Sequence, residues 1–397
     1  MRWSTIIQAW GLALLVLSFE GNVRLAGAEE FHWVEVDPAS VGVSTKRLAV
    51  IDEIVEEGLR DKKLPGAVVL VGLKGQIVYR RAFGQRQIEP TPVSMTLDTV
   101  FDLASLTKPI ATATSIMQLI EARKMGLDDP VAKHLPTFGN HGKEAITVRH
   151  LLTHQGGLIA DNSMQDFAGG REKSIENLLN LKPLAAPGER FIYSDVGFMV
   201  LGELVATVSG QSLSEYTRMH LFEPLGMHET MYRPTTIPAE RFAPTEQRDG
   251  HWMRGEVHDP RAFALDGVAG HAGLFSTADD LARYAQAMLS GGQLGEARIL
   301  QPESVTLMTS SQPIPGGGIR GLGWDKRTGY SSNRGDLLSS SACGHGGFTG
   351  TALWFDPQQQ LFIIFLSNRV HPHGDGSVNS LIGRISTVAA AAVREFE

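Results

Sequence analysis

Ser105 and Lys108 stand three residues apart in Ala104-Ser105-Leu106-Thr107-Lys108-Pro109. A serine hydroxyl is a weak nucleophile until something takes its proton. At helical spacing, residues i and i+3 share one face with Cβ atoms about 5–6 Å apart, so Lys108 can reach the Ser105 oxygen. Such a Ser–Lys pair builds a nucleophile without a Ser-His-Asp triad. Ser105 is the only serine in the chain with lysine at +3. A capping serine followed by a solvated lysine has the same pattern, so the weight falls on possible partners elsewhere.

Acyl transfer needs a second proton carrier and an oxyanion hole. Tyr193-Ser194-Asp195 supplies the first: of six tyrosines, only Tyr193 has Asn or Asp at +2. A lysine ammonium beside a phenol lowers its pKa and lets it act as base or acid. Gly344-His345-Gly346-Gly347-Phe348-Thr349-Gly350-Thr351 is the candidate for the second. Its glycines let a substrate approach a strand backbone closely. The main-chain N–H groups of Ser105 and Phe348 are the expected hole, and a helix start at Ser105 adds positive potential.

The elements that must position these residues can be read from periodicity. Ser44 to Lys62 has apolar residues at helical spacing behind a Ser44 cap. A hairpin follows, Gly66–Val71 and Gln76–Tyr79 around Lys74-Gly75. Ser105 to Met125 is apolar on most sides and predicts a buried helix. Further helices are expected at Val148–Leu152, Ile175–Leu179, Phe198–Val208, Ser214–Leu221 and Ala278–Leu289. A late hairpin pairs Thr351–Phe355 with Leu361–Leu366, and Val378–Phe396 reads as a closing helix. Strands at both chain ends thus enclose a mostly helical middle, which predicts one antiparallel sheet shared by the two ends. Pro234–Arg261 and Gln312–Gly335 read as long Gly/Pro-rich loops of the kind that carry function.

The chain has 397 residues, 42% hydrophobic and 20% charged, with a formal net charge of -7. This composition is globular, and without a dense basic run it argues against a nucleic-acid partner. Arg2, the apolar run Gly11–Leu17 and Ala26-Gly27-Ala28 form a signal-peptide pattern over 1–28. The apolar stretch Ile6–Phe19 is shorter than the ~20 residues that span a bilayer. The mature chain is therefore expected to start at Glu29, without a stable membrane span, in a periplasm or outside the cell. No cysteine lies near that cleavage site, which excludes a lipoprotein anchor. Cys343, the one cysteine, permits no internal disulfide and no cysteine-based zinc site.

Taken together, Ser105-Leu106-Thr107-Lys108, Tyr193-Ser194-Asp195 and His345-Gly346-Gly347 resemble, in order and spacing, the three signature motifs of serine β-lactamases and penicillin-binding proteins. Ile146–His154 and Gly270–Leu281 look like further segments of that family. The match is nearest the class C-like branch, which also holds esterases, D-aminopeptidases and muropeptide amidases, and it covers roughly Ser44 to the C-terminus. The resemblance implies an α+β fold of the β-lactamase/transpeptidase type. An α/β lobe would come from about 40–100 and 320–397, with a helical lobe at about 101–319. It also implies roles: Ser105 as acylated nucleophile, Lys108 and Tyr193 as the proton network, and the backbone of Ser105 and Phe348 as the hole. Asp195, His345, Gly346, Gly347 and His271 would contact substrate. No cofactor or metal is implied, and the partner is a small-molecule or peptidoglycan-derived substrate.

Two departures bear on that substrate. His345 and Gly346 stand where the family has lysine and threonine, the side chains that hold a drug carboxylate. Asp195 replaces the commoner asparagine, adding an anion that favours a charged Lys108. Both argue against anionic substrates and fast β-lactam hydrolysis, and for ester, amide or peptide bonds. A class C-like β-lactamase, a D,D-peptidase and a non-catalytic penicillin sensor are the alternatives. The sequence holds no Gly-x-Ser-x-Gly elbow of an α/β-hydrolase. Cys343 reads as a small buried residue rather than a thiol nucleophile. His371-Pro372-His373-Gly374-Asp375 reads as a loop rather than a metal site, because no second ligand cluster accompanies it. Glu176–Asn180 matches a class A deacylation motif but precedes Tyr193 in a helical run, and reads as coincidence. His154 and His271 both read as structural or pocket-lining, with His271 the better candidate for substrate contact.

Overall fold

The computed structural model describes residues 33–374 and 376–393. The expected signal segment 1–28, Asp375 and the part of the expected closing helix beyond Val393 lie outside the described residues.

The expected first helix forms as Thr45–Leu48 followed by α1 (Val50–Arg60), with the Ser44 hydroxyl accepting from Arg47 N at 3.3 Å. The hairpin follows as β1 (Gly66–Leu73) and β2 (Gln76–Gln87), then a short β3 (Val93–Ser94). Lys74 and Gly75 both take positive φ, 50° and 81°, the two-residue turn whose twist suits a hairpin.

The helical middle contains α2 (Thr114–Glu121), α3 (Val148–Leu152), α4 (Arg171–Leu179), α5 (Asp195–Ser209) and α6 (Ala278–Leu289). Helix α5 is apolar on nearly every side and is buried over most of its length. It starts where the Ser194 hydroxyl accepts from Gly197 N at 3.0 Å, and it stops at Gly210 with φ +75°. The Ser214–Leu221 helix divides into Leu213–Thr217 and a π-helical turn, Arg218–Phe222.

The second half of the sheet is β4 (Gln312–Ile314), β5 (Gly318–Arg320), β6 (Asp325–Arg327), β7 (Cys343–Gly347), β8 (Thr351–Asp356) and β9 (Leu361–Ser367), and α7 (Asn379–Val393) closes the fold. The strand order is β4-β5-β6-β7-β8-β9-β1-β2-β3, antiparallel at every pairing. The two chain ends meet in one register, Ala67 opposite Ser367 through Leu73 opposite Leu361. The segment Gln312–Gly335 is therefore not a plain loop. Three of its stretches are strands at one end of the sheet, too short to show a two-residue period.

Alternation along the buried strands splits the core into two layers. Val68, Leu70, Phe362, Ile364 and Leu366 face the cluster that continues through α6 and the helical middle. Val69, Val71, Leu361, Ile363 and Phe365 face α1 and α7. One sheet with helices on both faces is the α+β architecture expected from the resemblance. Among the described residues, no single helix is long and apolar enough to cross a membrane.

Candidate active site

Ser105 sits between the sheet and the helical middle, on a segment that is not the simple helix start its periodicity suggests. The backbone runs through a 3₁₀ turn (Ala104–Leu106) and a π-helical turn (Lys108–Ala113) before α2. Pro109 has no N–H for a regular α ladder. Ala104 is held at φ +46°, a strained value for a residue with a side chain. Asp102 holds that strain. Its Oδ1 accepts from Ala104 N at 2.8 Å, and its Oδ2 accepts from His258 N at 2.7 Å. Burial pushes the Asp102 pKa up against these two donors.

Lys108 is 0% exposed. Its Nζ donates to Ser105 Oγ at 2.9 Å and to the His271 carbonyl at 3.1 Å, and it lies 2.7 Å from Asp195 Oδ1. Burial pulls the Lys108 pKa down, but the Asp195 carboxylate outweighs it, helped by Tyr193, and the net direction is up. Lys108 is therefore an ammonium at rest. Burial pushes the Tyr193 phenol up; the charge of Lys108 pulls it down, Asp195 pushes it up again, and the net direction is up. Tyr193 is therefore a neutral phenol at rest. The Lys108 ammonium lies 5.0 Å from its ring centroid.

His154 steers this tyrosine. Its ring stacks on Tyr193 at 4.5 Å and 30°, and its Nδ1 accepts from Ser194 N at 3.0 Å. Accepting at Nδ1 places the proton on Nε2. Burial, with Arg320 and Lys108 nearby, drives its pKa well below the ordinary value. His154 is thus a neutral positioning residue.

The His345-Gly346-Gly347 strand is β7, and two contacts press it against the Ser105 turn. Thr349 Oγ1 donates to Asp102 O at 2.7 Å, and Thr351 Oγ1 donates to Leu103 O at 3.0 Å. A Cβ on residue 347 would lie 2.3 Å from Leu103 O, so the approach requires glycine there. Phe348 follows at the end of the strand with its side chain 60% exposed, stacked on His258 at 5.6 Å. Burial, with Arg320 and Lys108, pushes His345 well below its ordinary pKa, so its ring is neutral. Its Nδ1 lies 2.8 Å from Gly346 O, the donating nitrogen of a neutral ring.

Tyr193, His345, Gly346, Gly347 and Phe348 all line one cavity of about 390 Å³. His271 does not. Its side chain is 1% exposed, with Nε2 2.9 Å from Asp259 Oδ1, and its main-chain carbonyl accepts from Lys108 Nζ at 3.1 Å. The ring sits beside the Lys108–Asp195 ion pair, with a nitrogen within 4.8 Å of an Asp195 carboxylate oxygen.

Among the described residues, Asp195, Asp259 and His271 bring potential metal-ligand atoms within 4.8 Å of one another. Those atoms are already engaged by protein: Asp195 with the Lys108 ammonium, and Asp259 with His271. His371 is committed too. Its Nε2 accepts from Ile88 N and Glu89 N at 2.9 and 3.2 Å, and its Nδ1 donates to Thr245 O at 3.0 Å. Burial pushes the Cys343 thiol up to about 11, which leaves it a poor nucleophile despite Lys326 Nζ at 3.3 Å.

Asp102, Asp259, Arg320 and Asn333 have no role legible in the sequence, whereas His154 was expected to be structural or pocket-lining. Asp102, three residues before Ser105, had a positional signal. The others are joined to the site only by long-range contacts.

A family model described as Beta-lactamase matches residues 51–384. The chain is 34% identical over 366 residues to an N-acetylmuramyl-L-alanine amidase of Bacillus subtilis, covering 83% of this chain and 82% of that protein. It is 32% identical over 374 residues to a protein of Escherichia coli K12 named putative D-alanyl-D-alanine carboxypeptidase, covering 85% and 86%. Among solved structures, EstCE1, a hydrolase with promiscuous acyltransferase activity, superposes with a TM-score of 0.69 at 25% identity, covering 88% of this chain and 98% of that one.

Proposed function

The chain belongs to the beta-lactamase family of serine hydrolases, and we propose that it is an exported enzyme that cleaves amide or peptide bonds of peptidoglycan-derived substrates through a Ser105 acyl-enzyme. One observation carries the reading: the Ser105 hydroxyl lies 2.9 Å from a buried Lys108 ammonium, which itself lies 5.0 Å from the centre of the Tyr193 ring. The two relatives described above are named N-acetylmuramyl-L-alanine amidase and putative D-alanyl-D-alanine carboxypeptidase, and each matches more than four fifths of this chain. Export rests on the pattern of Arg2, Gly11–Leu17 and Ala26–Ala28.

The proton balance follows from the resting states. Ser105 Oγ bonds to the scissile carbonyl carbon. Its proton passes to the Tyr193 oxygen while the Tyr193 proton passes to the leaving nitrogen. The backbone N–H groups of Ser105 and Phe348 receive the carbonyl oxygen as it becomes negative. Lys108 remains charged throughout and stabilises the transient charge on both hydroxyl oxygens. Water then enters by the reverse route and releases the acid.

The test is incubation with an N-acetylmuramyl-L-alanyl peptide and with a peptide ending in D-alanyl-D-alanine, each followed by mass spectrometry. Release of free peptide from the first or of D-alanine from the second is the expected result. Turnover confined to simple p-nitrophenyl esters overturns the cell-wall reading and leaves a carboxylesterase.

Asp195→Asn tests the role of the charge on Lys108. Without that carboxylate, burial dominates and the Lys108 pKa falls. The variant is expected to lose kcat/KM on the alkaline side at lower pH than the parent enzyme. A rate that instead rises there identifies neutral Lys108 as the base.

A further inference from the structure

Two chains of contacts lead from the His258-Asp259 dipeptide to the nucleophile. The first begins at Asp259, which caps the short helix Pro260–Ala264: its Oδ1 accepts from Ala262 N at 2.7 Å. The same oxygen lies 2.9 Å from His271 Nε2. Burial pushes the Asp259 carboxyl up, but the His271 ring, the Ala262 N–H and Lys108 outweigh it and hold it well below the ordinary carboxylate range. Asp259 is therefore an anion at rest, and the His271 Nε2–H donates to it. His271 Nδ1 has no hydrogen-bond partner among the described residues, so the bond to Asp259 is the polar tether of the ring. The tether matters because the His271 carbonyl receives Lys108 Nζ at 3.1 Å, and the same Nζ donates to Ser105 Oγ at 2.9 Å. That carbonyl stands between Gly270 and Gly273, the latter at φ +114°. A main chain so rich in glycine keeps a carbonyl aimed only where a side chain ties it down.

The second chain begins one residue earlier. His258 N donates to Asp102 Oδ2 at 2.7 Å, on the carboxylate that holds Ala104 in its strained turn beside Ser105. The His258 ring stacks on Phe348 at 5.6 Å, beside the N–H expected in the oxyanion hole. Neighbouring residues have Cα atoms about 3.8 Å apart whatever the fold around them does. One peptide unit therefore ties the brace of the Ser105 turn to the brace of Lys108, although the two are supplied by segments far apart in sequence.

We propose that Asp259 is a positioning residue that, through the His271 ring and carbonyl, keeps Lys108 in register with Ser105. The proposal rests on the Ser105 reading above and adds a residue outside the serine, lysine and tyrosine on which the attack depends. A shift of about 1 Å in such an arrangement costs on the order of 10²-fold in rate, even when it starts away from the reacting atoms.

The test follows phosphonylation of the intact protein by a fluorophosphonate, by mass, and extracts the maximal rate and the probe concentration that gives half of it. Asp259→Ser keeps a capping hydroxyl for the helix start but is too short to hold His271 as well. It is expected to lower the maximal rate about 10- to 100-fold and to leave the half-saturating concentration unchanged. Asp259→Asn keeps both the cap and an oxygen facing His271, and is expected to restore most of the parent rate. Parent rates in both variants reduce Asp259 to a helix cap and overturn the proposal. Equal losses in both overturn it too, because the charge and not the tether is then what matters, and so does a loss carried by the half-saturating concentration. If Asp259→Ser fails to fold, by circular dichroism, His271→Phe decides: it keeps a ring and removes the bond to Asp259, and an unchanged maximal rate in it overturns the proposal. A parent protein labelled at Ser105 beside a full-rate Asp259→Ser leaves the Ser105 reading standing. A parent protein that takes no label overturns that reading and the proposal with it.

Discussion

Ser105→Ala is expected to abolish covalent labelling by a fluorophosphonate or a fluorescent penicillin, read as the absence of an adduct mass on the intact protein. On the proposed mechanism, the substitution removes the attacking oxygen and little else. Lys108 keeps its ion pair with Asp195 and its bond to the His271 carbonyl, so the fold is expected to persist. Removing the nucleophile of an acyl-transfer site typically costs kcat on the order of 10⁴- to 10⁶-fold, since the oxyanion hole and substrate binding alone leave only a small residual rate. Labelling that persists on the alanine variant, mapped to another residue, means that Ser105 is not the nucleophile. The thermal midpoint should stay within a few degrees of the parent protein, which separates lost chemistry from lost structure.

Lys108→Met carries the second large effect, and it has two parts. The rate part follows from the loss of the charge that stabilises the transient oxyanions, and roughly 10³-fold in kcat/KM is expected for one preorganised electrostatic partner. The stability part follows from Asp195. Without the ammonium 2.7 Å away, a largely buried carboxylate loses its counter-ion, and such half-broken pairs cost about 3–5 kcal/mol. The two parts separate in the double variant Lys108→Met/Asp195→Asn. It should regain most of the melting temperature, because no uncompensated charge remains, yet stay as slow as the single variant. A double variant that regains activity as well would make Lys108 a structural residue only.

These expectations draw on residues of two kinds. Ser105 and Lys108 were legible because i,i+3 spacing on a turn is a local property that survives even where the turn becomes 3₁₀ and π rather than α. Tyr193 stood out by composition, and its place at the mouth of α5 follows from a local cap, Ser194. The hairpin turn at Lys74-Gly75 and helix α6 were legible for the same reason: turn chemistry and a period of 3.6 act within a few residues. The short strands β4 to β6 were not, since three residues hold no period. The bond between the His271 ring and Asp259 was not legible, because Asp259 lies twelve residues earlier on another element.

The sequence alone determined the family and the sheet shared by both chain ends, and it pointed to Ser105, Lys108 and Tyr193 as the proposed site, because each is written in local spacing or in motif order. Tertiary structure decided the electrostatics. That Lys108 stays charged, that His345 is neutral, that Asp102 holds a strained Ala104 and that Asn333 fills the space beside Gly346 all depend on burial and on partners far along the chain. A charge buried without water takes its state from whatever groups the fold brings within a few ångströms. Spacing along the chain placed Lys108 beside Ser105; only the folded protein placed Asp195 beside Lys108.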